Sequence, residues 1–123
     1  MQNVSTGNAA TETAATKGWF VGHFIDDDPL RRSSDVEMKW GIHPKGQKNQ
    51  GGFLANKTAR TLSVLVSGNF RLWFRNEDRT EQIDLDAPGK FAFWMPGVPH
   101  DWEALEDSVV LTVRWPSVPK DQG

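Results

Sequence analysis

The chain breaks into short segments in which apolar and polar residues alternate with period two, each closed by a cluster of Gly, Pro, Asp or Asn. Such alternation belongs to half-buried strands, because successive strand side chains point to opposite faces. No stretch of useful length carries a 3.6-residue period, so helices should be one turn or absent. The expected class is all-β, a sandwich or small barrel of about seven or eight strands.

Residues 18–25 are the first candidate strand, closed by Asp26-Asp27-Asp28-Pro29. That turn lacks the additional oxygen ligands at set spacing that a hard-cation loop needs, and reads as surface. Residues 35–43 place Val36, Met38, Trp40 and Ile42 on one face and Glu37, Lys39, Gly41 and His43 on the other. The strongest signal spans 58–74, which Ser67-Gly68-Asn69 should fold into a hairpin. Before that turn Leu62, Val64 and Val66 oppose Thr61, Ser63 and Leu65. Residues 80–85 form a short strand, and 108–115 alternate Val109, Leu111, Val113 and Trp115 against Val110, Thr112 and Arg114.

The most informative stretch is 89–102. Phe91, Phe93 and Met95 alternate with Ala92 and Trp94, after which Pro96, Gly97 and Pro99 bend the chain. The prolines fix φ and remove two donors. His100 and Trp102, two apart, then point the same way. A histidine placed after so rigid a turn has a defined direction, which a ligand-binding imidazole needs; the plainer alternative is a half-buried histidine at a strand start. His43 ends its strand beside a turn, and its plainer reading is a solvent-edge residue. His23 has no acid near it in sequence and reads as structural.

At 123 residues the chain is expected to be one domain. Residues 1–16, mostly Ser, Thr, Asn, Ala and Gly, are expected to be a disordered tail. That leaves 17–118 as the folded unit and 119–123 as a C-terminal tail. A net charge of −2 with interspersed signs argues against a nucleic-acid footprint. The absence of cysteine excludes disulfide and thiolate chemistry and fits a reducing compartment. No apolar run is long enough to cross a membrane as a helix, and no basic-then-apolar leader opens the chain, so a cytoplasmic location is expected. Six Trp and seven Phe without a Tyr imply a wide ring-lined interior or interface.

With these residues placed, the chain over roughly 35–115 resembles a small single-domain cupin of the jelly-roll β-barrel type. Gly89 followed by Pro96-Gly97-Val98-Pro99-His100 is similar to the second cupin motif, with the first proline one residue out of place and Ala104 where an Asn is usual. Val64-Leu65-Val66-Ser67-Gly68 resembles the close of the first motif, which puts Thr61 at its Glu position. The paired histidines of that motif would fall on Leu54 and Asn56, or on Ala55 and Lys57. Only His100 of the usual metal ligands is therefore carried over, and one imidazole does not hold Fe, Mn, Ni or Zn tightly. A rebuilt site would need His43 with His100, and Glu37 or Glu103.

The resemblance also implies that Thr61, Ser63 and Leu65 face the interior while Leu62, Val64 and Val66 lie outside. Such an external apolar strip asks for a cover, and a homodimer with twofold symmetry is the expectation. The resemblance implies a cavity gathering His100, Trp102, Phe93, Met95, Thr61 and Ser63, with Trp40 and His43 at its rim. Three functions follow. The first is a small-molecule binder without a tightly held metal. The second is an enzyme, either a non-haem metal oxygenase using His43 and His100 or a metal-free isomerase or epimerase with His100 as catalytic base. The third is a structural or interaction module. No phosphate loop, nucleophile elbow or Ser-His-Asp order supports a nucleotide or hydrolase reading.

Overall fold

A computed structural model, which describes residues 2–123, contains eight strands and one short 3-10 turn at Ala14–Thr16. The strands are β1 (Trp19–Val21), β2 (Glu37–His43), β3 (Arg60–Ser67), β4 (Phe70–Asn76), β5 (Arg79–Leu85), β6 (Phe91–Trp94), β7 (His100–Ala104) and β8 (Ser108–Trp115). They form two sheets with antiparallel pairing throughout, a five-stranded one in the order β1-β2-β8-β3-β6 and a three-stranded one in the order β5-β4-β7. This is a jelly roll. The two sheets do not join into one hydrogen-bonded cylinder: Pro96 and Pro99, which have no N–H to give, occupy the link from β6 in one sheet to β7 in the other.

The structure differs from the sequence expectation at two connections. The first strand is three residues long, because the chain leaves the ladder at Gly22, whose carbonyl accepts from the N–H groups of Ile25 and Ser33. Residues 58–74 do not make a hairpin either. β3 pairs with β6 and β8 while β4 pairs with β5 and β7, so the Ser67-Gly68-Asn69 turn is the corner at which the chain changes sheets. Ser108 holds that corner, its hydroxyl accepting from Asn69 N–H at 3.0 Å and lying 3.1 Å from Asn69 O. Gly68 sits there at φ +99°, where a side chain is strained.

The space between the sheets divides into an apolar and a polar end. Leu65 and Val110 of the large sheet meet Phe70, Leu72, Leu85 and Ala104 of the small one, forming the buried core. Burying a Val, Leu or Phe side chain stabilises by about 1.5–3 kcal/mol. Toward the other end the large sheet's inner face turns polar. Cross-strand neighbours form one row of Glu37, Arg114, Thr61 and Trp94 and a second of Lys39, Thr112, Ser63 and Ala92. The outer face of the same sheet is the reverse: Met38, Val113, Leu62 and Phe93 form one apolar row, and Trp40, Leu111, Val64 and Phe91 the next. The interior placement of Thr61, Ser63 and Leu65 matches what the family resemblance implies, and the inversion extends across β2, β8, β3 and β6.

Candidate functional site

The polar end encloses a cavity of about 200 Å³ between the sheets. Ser63, Thr112, Lys39 and Arg114 reach it from the large sheet, His100 and Trp102 from β7, and Trp94 from β6. Trp19 closes one side, with the Arg114 guanidinium 5.0 Å and the Lys39 ammonium 5.9 Å from its ring centroid. Phe70 and Trp102 stack at 5.2 Å where the cavity meets the core.

His100 is 4% exposed, and both its ring nitrogens are engaged. Nδ1 lies 3.2 Å from the Val98 carbonyl, which can only accept, so the proton sits on Nδ1. Nε2 is then the acceptor, 3.3 Å from the amide nitrogen of Gln122. Burial pushes the imidazole's pKa down, as does Arg114, against the opposing effect of the Val98 carbonyl. The ring is neutral and packs 4.9 Å from Trp94.

His43 is also buried, not at a solvent edge, and shares its face with Glu37 and Lys39 as the alternation predicts. Its ring lies 4.7 Å from Trp102 and 5.1 Å from Phe70, and Nδ1 donates to Gln47 Oε1 at 2.7 Å. Its other nitrogen turns back on its own strand, where a Cβ on Gly41 would stand 2.6 Å from Nε2. Glycine at 41 is what leaves room for that ring. Burial lowers the His43 pKa and Lys39 adds to the effect, while the Gln47 hydrogen bond opposes it.

Three sequence-predicted cavity residues lie elsewhere. Phe93 and Met95 are on the outer face, 45% and 48% exposed. The register pairs Thr61 with Trp94 and Ser63 with Ala92, so the inward residues of β6 are the alternate ones. Trp40 is outward for the same reason, opposite Leu111 in the outer apolar row, where Ala9, Ala10 and Ile42 lie around it. Thr61 faces inward and is fully buried. Ser63 faces inward too, its hydroxyl 2.9 Å from that of Thr112. Sequence reasoning missed Trp94, Lys39, Arg114 and Gln122. Alternation set three of them apart from their neighbours, and with Thr61 and Ser63 inside, the cross-strand register places them inside too.

His23, read as structural, has partners that only the fold supplies. Its Nδ1 lies 2.6 Å from the Ser117 hydroxyl, which lies 2.9 Å from Glu37 Oε1. Glu37 stands 3.6 Å from Arg114 Nη1, so this cluster anchors the chain after β8 to the start of β2.

The two sheets and their strand order define the fold of a small cupin domain. Oxalate decarboxylase from Bacillus subtilis, in its structure at pH 4.6, superposes with a TM-score of 0.60 at 16% identity, over 74% of this chain and 24% of that one. Another structure of that enzyme, concerned with its Mn(II) centres, matches with a TM-score of 0.60 at 20% identity over 69% of this chain and 22% of that one. The capsular polysaccharide assembling protein CapF from Staphylococcus aureus matches with a TM-score of 0.55 at 18% identity over 74% and 28%. The chain spans about a quarter of the length of these proteins. No protein-family model matches the sequence, and no curated protein sequence does.

A divalent metal is possible in this fold, as the Mn(II) centres of oxalate decarboxylase show, but the described residues of this chain do not fit one. Among the described residues no group of three His, Asp or Glu side chains is close enough to share an ion. His100 Nε2 is held by Gln122, His43 Nε2 faces Gly41, and Glu37 is tied to Ser117 and Arg114. The cavity wall instead carries two cations, Lys39 and Arg114, which repel a metal ion.

Proposed function

We propose that this protein is a small-molecule binder whose ligand sits between the sheets against Trp94, Trp102, His100 and Ser63. One observation carries the reading. Arg114 Nε, Thr61 Oγ1 and Trp94 Nε1, neighbours in a single row across three strands, are buried with no hydrogen-bond partner among the described residues. Leaving a buried polar group unsatisfied costs about 1–3 kcal/mol, and two of the three belong to residues that line the cavity, Arg114 and Trp94, which supports a guest there. Apolar walls with a few convergent polar groups are the usual make-up of a small-molecule site. His100 acts here as a wall and an orienting dipole.

A thermal-shift screen against sugars, small acids and aromatic metabolites tests this. A ligand at about a hundred times its dissociation constant stabilises by about 2.7 kcal/mol. The reading expects at least one such shift, lost in folded His100→Ala; a hit that stabilises that variant equally places the site elsewhere.

The outer face of the large sheet is assigned to a second copy of the chain. Its two apolar rows carry no charged side chain, so a self-complementary twofold contact is the arrangement that leaves no charge facing an apolar surface. Four strands about 4.8 Å apart make this patch about 15–20 Å across, and two rows two residues apart at about 3.4 Å per residue make it about 7–14 Å along the strands, a strip sized for only the centre of a standard interface. The cysteine-free composition supports a cytoplasmic location. Among the described residues no helix is long and apolar enough to cross a membrane.

A further inference from the structure

We infer that the ligand is a small monocarboxylate whose body is a single unsaturated or aromatic ring; this rests on reading the cavity as a binding site. The charge of the wall comes first. Lys39 and Arg114 line the cavity, and no Asp or Glu does. The Lys39 side chain, half-buried against Trp19, forms no ion pair and no hydrogen bond among the described residues. Glu37, 3.6 Å from Arg114, and Asp121 both act on Arg114 from outside the cavity wall, so Lys39 is the cation left for a guest to neutralise. Holding two like charges together away from solvent is unfavourable, and burial together with Arg114 lowers the Lys39 pKa accordingly. A bound anion relieves that cost.

Donor chemistry points the same way. Arg114 Nε–H and Trp94 Nε1–H are N–H groups without an acceptor, separated by the unpartnered hydroxyl of Thr61. A carboxylate has two oxygens and accepts only, so it satisfies donors that a cation or a hydrocarbon cannot. Size and lining set the rest of the molecule. A dry cavity of about 150 Å³ takes a benzene ring, and this one is about 200 Å³ with Trp19, Phe70, Trp94 and Trp102 around it. One ring and one carboxylate fill it.

Benzoate and its neutral isostere benzamide are the probes, titrated by calorimetry into the full chain. Charge-assisted hydrogen bonds contribute about 1.5–3 kcal/mol, so benzoate should bind about ten- to a hundredfold more tightly than benzamide. Lys39→Met, which removes a cation that no carboxylate pairs, should bring benzoate down toward benzamide; Lys39→Gln serves if the Met variant does not fold. Benzamide binding as well as benzoate, or benzoate unaffected by both Lys39 variants, overturns the anion assignment and leaves the cavity as a site for neutral molecules. If neither probe binds and the thermal-shift screen yields no ligand, the binding-site reading falls with it.

Discussion

At the scale of single residues, His43 and His100 set how the protein responds to acid. Burial lowers both folded pKa values below the ordinary 6.5. Between those lowered values and 6.5 the unfolded chain binds more protons than the folded one, so stability rises with pH across that window and is lost as pH falls through it. Urea unfolding from pH 7 to 5 should show a declining midpoint, and the decline should flatten in His100→Gln and His43→Gln. A midpoint independent of pH in that range contradicts the neutral, buried assignment. A second, lower window belongs to the carboxylates. Asp84 is held below 3.8 chiefly by the Arg71 hydrogen bond. For Asp121 burial acts upward, but hydrogen bonds from Ala59, Thr58 and Asn56 together outweigh it. Asp121 also accepts from Thr58 N–H at 2.9 Å and Ala59 N–H at 3.0 Å, pinning the C-terminal residues to the entry of β3. Asp121→Ala should cost about 1–3 kcal/mol in chemical denaturation, the usual penalty for stranded buried donors; no change would show those donors are satisfied without it.

At the scale of elements, the corner at Gly68 carries most of the topology. A Cβ there would stand 2.4 Å from the Asp107 carbonyl and 2.5 Å from Ser108 Oγ, and φ is +99°. Gly68→Ala should therefore lose about 2 kcal/mol or more by thermal or urea unfolding, and an unchanged midpoint would mean the corner yields easily. The same corner shows what the sequence makes legible. Strand positions follow from alternation, since a period of two is a local property of the backbone. Whether β3 folds onto β4 or leaves for another sheet depends on Ser108, thirty-nine positions or more away, which no local pattern reports. Facing is subtler. Alternation sorts Phe93 and Met95 from Trp94 but not inside from outside, and the usual rule of apolar side inward misplaces them in a sheet whose polar face is the interior. The resemblance corrects this for β3 through Thr61; cross-strand register then fixes Trp94, Lys39 and Arg114, and register is legible only in the fold. Gln122 could not be read at all, because it reaches His100 from the C-terminal residues.

At the scale of the whole molecule, the inversion of the large sheet joins the two proposals: polar groups withdrawn to the inside serve a guest, and apolar ones displaced to the outside serve a partner copy. Light scattering should find a dimer. Phe91→Glu with Phe93→Glu, at positions 64% and 45% exposed, should give a folded monomer, and a wild-type protein that stays monomeric at high concentration contradicts the pairing. The interior makes the stronger claim, and indole spectroscopy reaches it directly. Each of the six tryptophans gives one Nε1–H signal in a ¹⁵N-correlated NMR spectrum, with Trp94 assigned by its loss in Trp94→Phe. On titration with benzoate, or with any compound the screen returns, the Trp94 signal should move saturably while that of outward-facing Trp115 stays still. A ligand that binds and shifts Trp115 while leaving Trp94 in place would contradict a site between the sheets.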